Sequence, residues 1–173
     1  MANILSLDEA AFRTFYESTR KTLWGYIVKV MGDQTMADDI LQESYVRFLQ
    51  ADLGKLDGTQ YKAYLYRIAT NLIHDNWRRV KRDRRWTSGF EDQSITHSTG
   101  DLDTAHDVGF AFQQLTQQQR SLLWLAYVEE YPQREIADML KLREGSVKVL
   151  LFRAKQKLID ILKRMGIESE KKQ

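Results

Sequence analysis

Tyr61, Tyr64, Arg67, Asn71, Asp75, Arg78, Arg79, Lys81 and Arg82 recur at roughly helical steps within one short stretch. The chemistry open to them is non-covalent. Aromatic rings and amides in the first half can stack on unpaired bases and hydrogen-bond to them. Guanidinium and ammonium groups in the second half attract phosphates. The apolar residues of the same stretch, Tyr61, Leu65, Ile68, Leu72 and Ile73, are spaced as the buried stripe of one helix. That helix would hold a base-reading end and a phosphate-holding end on one surface. Read alone, the stretch fits an ordinary amphipathic helix with a solvated basic face equally well.

A second cluster is acidic. Asp38, Asp39, Gln42 and Glu43, with Arg47, share one face of an expected helix over residues 35–50. They form either a solvated surface or a docking patch for a basic partner helix. A third set, Lys148, Arg153, Lys155 and Lys157, lies on the second helix of an expected helix-turn-helix near the C-terminus. Glu135-Ile136-Ala137, ten residues before Val147, suits the close crossing of two such helices.

The elements that must position these groups read as helices throughout. The chain of 173 residues has a single Pro, nine Gly and no long run of alternating apolar residues. Ser6 and Glu9 fit a capping box, opening a helix that should stop near Gly32. The two glycines of residues 51–60 mark a loop, with Thr59 as the expected N-cap of the helix from Tyr61. Apolar spacing collapses over residues 86–104, which predicts a flexible acidic linker between a unit spanning residues 1–85 and another spanning 105–173. In the second unit a helix is expected over 105–115. Thr116 and Gln119 form a second capping box, Pro132 suits the first turn of the next helix, and a last helix of some twenty residues follows Gly145. The fold class is all-α.

The net charge of +2 says little, but its distribution is uneven. Residues 61–86 hold eight Lys/Arg against two Asp, whereas residues 91–107 hold five acids and no Lys or Arg. The absence of cysteine excludes disulfides and thiolate zinc sites, and three scattered His argue against a metal site. No cofactor is expected. No apolar run reaches membrane-spanning length and the N-terminus lacks a signal pattern, so a cytoplasmic location without membrane insertion is expected.

Taken together these stretches resemble a bacterial sigma factor of the sigma-70 superfamily, in its small two-domain extracytoplasmic-function (ECF) group. Gly32-Asp33 with Ala37-Asp38-Asp39-Ile40-Leu41-Gln42-Glu43 is similar to the "GD…AEDLVQE" stretch of domain 2. Leu65…Ile68-Ala69-Thr70-Asn71…Asp75…Arg78 is similar to "WL..IA.N...D..R", the promoter-melting and −10-reading helix. Leu115-Thr116…Arg120, Glu135-Ile136-Ala137 and Gly145-Ser146-Val147-Lys148…Arg153-Ala154-Lys155 are similar to "LP…R…EIA…GTVKSR..RAR" of domain 4.

The resemblance implies a transcription initiation factor, not an enzyme, because the polymerase does the chemistry. Asp38, Asp39, Gln42 and Glu43 would meet the β′ clamp helices of core RNA polymerase, and domain 4 the β flap. Tyr61, Tyr64, Arg67, Asn71 and Asp75 would take up the −10 non-template strand, with a flipped base held at the 51–60 loop. Arg78, Arg79, Lys81 and Arg82 would hold the adjacent duplex. Arg143, Ser146, Lys148, Val149, Phe152 and Arg153 would face the −35 region. An anti-sigma factor is a further implied partner. Three positions depart from the pattern: Arg143 stands where an N-cap oxygen is usual, Lys141 replaces the turn glycine, and Val149-Leu150 replaces Ser-Arg. Losing that arginine removes the commonest bidentate reader of guanine. Either Lys148, Phe152 and Arg153 read a divergent −35 element, or domain 4 reads little sequence and a DNA-bound partner delivers the protein. The competing reading is a helix-turn-helix regulator whose N-terminal helices dimerise or sense a signal. The acidic patch and the aromatic-amide helix are what such a regulator would not need.

Overall fold

The computed structural model describes residues 7–86 and 104–167, with the side chains of Lys55, Arg84, Arg85, Trp86, Thr104 and Ala105 left aside. Among the described residues there are seven α-helices and one short 3-10 turn: α1 (Glu9–Met31), α2 (Gln34–Gln50), the turn Leu53–Lys55, α3 (Tyr61–Trp86), α4 (Thr104–Gln113), α5 (Gln117–Tyr127), α6 (Gln133–Leu140) and α7 (Glu144–Arg164). The expected linker falls outside the described residues except at its edges, Trp86 and Thr104.

Helices α1, α2 and α3 enclose one core. Leu23, Tyr26, Ile27, Val30, Phe48, Leu65 and Ile73 are fully buried in it. Its polar groups are satisfied locally: Thr19 and Tyr45 hydroxyls pair at 2.7 Å, and Tyr26 and Thr70 hydroxyls at 2.9 Å. Burial pushes the Tyr26 and Tyr45 phenols above their ordinary range, against the opposing pull of those same hydroxyl bonds. Helix α1 is capped by Asp8, whose carboxylate accepts from the Ala11 amide at 2.7 Å. This corrects the expected Ser6–Glu9 box, whose Ser6 lies outside the described residues. Asp8 sits directly before the helix, and its negative charge meets the positive end of the helix dipole.

Asp57, not Thr59, organises the entry to α3. Its carboxylate accepts from the Thr59 and Gln60 amides at 2.9 and 3.2 Å and from the Thr59 hydroxyl, while the Gln60 side chain accepts from the Asp57 amide at 3.1 Å. The Thr59 hydroxyl holds Asp57 below the usual carboxylate range. Thr59 is thereby committed as a donor to the turn.

Helices α4 to α7 form the second core around Leu122, Leu125, Ile136, Val147 and Ala154. The Thr116–Gln119 capping box forms as expected, with bonds of 3.2 and 3.0 Å. Pro132 occupies the N-cap of α6, one residue before the helix. Lys141 adopts φ 54°, with the Leu142 amide bonded to the Ala137 carbonyl at 2.9 Å. A turn that suits glycine is therefore made by lysine, at a cost of about 1–2 kcal/mol.

The two cores are docked together. Helix α3 packs on α6 and α1 on α5. Gly32 ends α1 at φ 77°, and a Cβ there would lie 2.8 Å from the Gln113 side-chain oxygen. The missing side chain admits Gln113 of α4, whose amide donates to the Lys29 carbonyl at 3.0 Å and satisfies a free helix-end acceptor. Arg120 in turn donates to the Gln113 oxygen.

Candidate nucleic-acid interface

Helix α3 sets the geometry. Tyr64, Arg67, Asn71, Asp75, Arg78 and Arg82 follow three- and four-residue steps, opposite the buried Tyr66, Ala69, Thr70 and Ile73. They make one ladder on the outer side of α3, with Arg67, Asp75, Arg78 and Arg82 exposed and Asn71 and Tyr64 half-buried, Tyr64 resting against the Phe48 ring. Tyr61 belongs partly to the core: it is half-buried, with its ring edge-on to Phe48 at 5.8 Å and Phe15 at 6.3 Å. Lys81 leaves the ladder by one flank and lies over the Trp77 ring at 4.8 Å. Trp77 is half exposed, an aromatic surface beside the basic end that sequence reasoning missed.

Near the start of α3, Tyr64 and Arg67 line a cavity of about 480 Å³ with Leu56, Thr59, Gln60 and Ala63. The loop expected to hold a base thus supplies one wall of an enclosure whose other wall is α3. The remaining wall is Glu135, Asp138 and Met139 of α6, from the other unit. Two carboxylates, those of Glu135 and Asp138, thus face this enclosure.

The acidic patch on α2 is exposed at all four positions: Asp38, Asp39, Gln42 and Glu43. Its charges are not free in the same degree. Trp24 donates its indole N–H to Asp38 at 2.7 Å, and Glu43 pairs with Arg47 at 2.7 Å. Asp39 and Glu43 also line a groove of about 370 Å³ with Asp75, Asn76, Arg79 and Arg82 of α3. The acidic patch and the basic ladder are thus two banks of one groove.

In α7, Lys148, Val149, Phe152 and Arg153 are exposed, and Ser146 is half-buried. Arg143 stands at the N-cap with no side-chain bond, and the Ser146 hydroxyl donates back to the Arg143 carbonyl at 3.0 Å. Leu150 packs half-buried against the core. It occupies a position that the sequence pattern reserves for arginine, and its apolar side chain has turned inward.

The structure adds one residue that the sequence did not suggest. Glu129, between α5 and α6, accepts from the Tyr66 hydroxyl at 2.8 Å, the Lys62 ammonium at 3.0 Å and the Trp124 indole at 3.3 Å. Its side chain is 5% exposed. Tyr66 and Tyr131 meet edge to face beside it, 5.7 Å between centroids. Burial raises the phenols of both tyrosines well above their ordinary range, and the Glu129 charge adds to it. His74 is held below its ordinary range by burial and by the charges of Arg78 and of Lys141 across the boundary.

Comparison with known proteins agrees with both halves of this description. Residues 15–83 match the model for sigma-70 region 2, and residues 106–158 match that for sigma-70 region 4. The ECF RNA polymerase sigma factor SigL of Mycobacterium tuberculosis is 31% identical over 167 residues, covering 92% of this chain and 93% of the relative. SigW of Bacillus subtilis is 25% identical, covering 87% of this chain and 88% of the relative. In fold, the chain is similar to the sigma factor RpoE in its complex with the anti-sigma factor NepR from Bartonella quintana (TM-score 0.74, 21% identity, 88% of this chain and 96% of that one). It is also similar to CnrH in complex with the cytosolic domain of CnrY (TM-score 0.63, 23% identity, 92% of each chain). With both regions matched in order and a relative this similar along nearly its full length, the chain belongs to the ECF group of sigma-70 RNA polymerase sigma factors.

Proposed function

We propose that this chain binds core RNA polymerase through the α2 face, directs it to promoters, and helps to melt the −10 element with α3. The division of labour follows residues 1–85 for core binding and melting, 86–104 as the connection, and 105–173 for upstream duplex. The observation that carries the reading is the shared groove, with Asp39 and Glu43 on one bank and Asp75, Arg79 and Arg82 on the other. A protein must hold the polymerase and the strand side by side if binding one is to open the other.

Asp38, Asp39, Gln42 and Glu43 meet the β′ clamp helices, and α4–α7 the β flap. Tyr64, Arg67 and Asn71 take up the non-template strand, with an unstacked base in the cavity beneath the 51–60 loop. Unstacking a base costs about a few kcal/mol, which ring stacking and pocket contacts offset. Arg78, Arg79 and Arg82 hold the flanking duplex. The polymerase carries out the reaction, the chain itself is not an enzyme, and it acts in the cytoplasm. No described helix is long and apolar enough to cross a membrane. An anti-sigma factor restrains the chain, a reading supported by the complexes in which its structural neighbours occur.

Upstream, Arg143, Ser146, Lys148, Val149, Phe152 and Arg153 meet the −35 duplex with weaker discrimination than a guanine-reading arginine would give. A DNA-bound partner supplies the remaining targeting. The test is co-elution with core polymerase followed by initiation at a promoter carrying a fixed −10 element. Asp39→Arg combined with Gln42→Ala should abolish both while leaving the helical content intact. Undiminished initiation by that variant would refute the α2 assignment.

A further inference from the structure

The outward face of α7 points to a specific kind of base reading. We propose that Val149 and Phe152 contact thymine methyl groups in the major groove of the −35 region, so that the element favours A·T pairs over guanine. The proposal rests on the reading of α7 as the −35 helix and adds the class of base it selects.

Over the first turns of α7, Gly145, Val149, Phe152 and Gln156 lie opposite the buried Val147, Leu151 and Ala154, and Asp160 and Lys163 continue that face toward the C-terminus. Val149 is 48% and Phe152 63% exposed, large apolar side chains held in water by a helix whose other face is well packed. Gly145 has no heavy atom within 4 Å of where a Cβ would stand, so a base edge can approach the backbone there. Gln156 follows Phe152 one turn on in the same strip, and its amide has the donor–acceptor pair that matches adenine. Lys148 and Lys155 border the strip on one side and Arg153 and Lys157 on the other, all exposed.

An apolar centre between two cationic rails fits a major groove, where methyl groups and base edges lie between two phosphate backbones. It fits a protein helix less well. Helix docking uses anchors at i, i+3, i+4 and i+7, and here only the first two are apolar. The would-be guanine reader is also gone from this surface, since Leu150 is packed against the core.

The experiment uses the full chain with core polymerase and a promoter pool with a fixed −10 element and a randomised −35 hexamer. Sequencing of initiated templates should return A·T-rich hexamers with thymine at two positions. Each of those thymines is then replaced by uracil, which removes only the C5 methyl. Promoter binding should weaken about fourfold per methyl, corresponding to about 0.8 kcal/mol for one buried methyl-sized group. Val149→Ser and Phe152→Ala should each erase one of the two uracil effects, and both are surface positions whose replacement spares the core. Guanine-rich selection, or uracil equal to thymine, overturns the proposal while leaving the initiation function standing. Variants that initiate normally alone but lose the response to a DNA-bound activator would overturn it in favour of a protein dock. Failure to initiate on every template would remove the underlying function and this inference together.

Discussion

Replacing Glu129 with alanine should undock the two helical units. The Glu129 carboxylate bonds across the boundary to Tyr66 at 2.8 Å and Lys62 at 3.0 Å, from a side chain only 5% exposed. Lys62 is 43% exposed, so water replaces its partner and that loss is about 0–1 kcal/mol. The Tyr66 hydroxyl sits on a fully buried residue and would lose its charged acceptor, with only Thr22 left beside it, at about 1–3 kcal/mol. The sum, about 1–4 kcal/mol, shifts the docked-to-undocked ratio about five- to a thousandfold. The chain has no cysteine, so Glu17→Cys and Asp160→Cys, both exposed, give a specific labelling pair for energy transfer between α1 and α7. Glu129→Ala should lower transfer efficiency and bind single-stranded −10 oligonucleotide more readily, because Glu135 and Asp138 no longer wall the cavity at Tyr64 and Arg67. In a Tyr66→Phe background the same substitution should cost about 1 kcal/mol or less, since no hydroxyl is there to lose its charged acceptor. Unchanged transfer in Glu129→Ala, or strict additivity of the two substitutions, would refute this account of the boundary.

Two further outcomes follow from single residues. Lys141→Gly should raise stability by about 0.5–1 kcal/mol, as relief at φ 54° exceeds the added entropy of the unfolded chain; a lower midpoint in urea would contradict it. His74 stays neutral in the folded chain below the pH at which a free histidine protonates. Protons then bind the unfolded state preferentially, so stability present above about pH 6.5 should fall on acidification. Arg78 and Lys141 face the ring and Asp75 opposes them weakly. His74→Gln should flatten the slope that sets in below about pH 6.5, and an unchanged slope would show that other groups set it.

The helices themselves were legible because periodicity and caps are local. The Thr116–Gln119 box and the stop at Gly32 form where the residue types put them. The acidic face of α2 and the outward ladder of α3 were equally readable, since three- and four-residue spacing fixes which side chains share a surface. The Ser6 cap failed because Asp8, nearer the first turn, offers a charged acceptor. Thr59 was misread because Asp57 competes for its hydroxyl.

What spacing could not reveal lies between the units. Glu129 meets Tyr66 and Lys62 across 63 and 67 residues of sequence, and nothing near Glu129 marks it as buried. Gln113 likewise reads as one amide in a glutamine-rich stretch, yet it caps α1 from the other unit. The roof that α6 places over the Tyr64–Arg67 cavity is a tertiary fact of the same kind. The sequence pattern did flag Lys141 as an oddity, and its left-handed backbone gives that oddity an energetic meaning.

The most direct test of the central claim is run-off transcription with this chain, core polymerase and a fully randomised promoter library, with start sites and upstream motifs read by sequencing. The account predicts initiation that depends on the chain, a sharp motif near −10, and a weaker A·T-rich signal near −35. No initiation on any template, from a chain that still binds duplex DNA by itself, would contradict it and leave a helix-turn-helix regulator in its place.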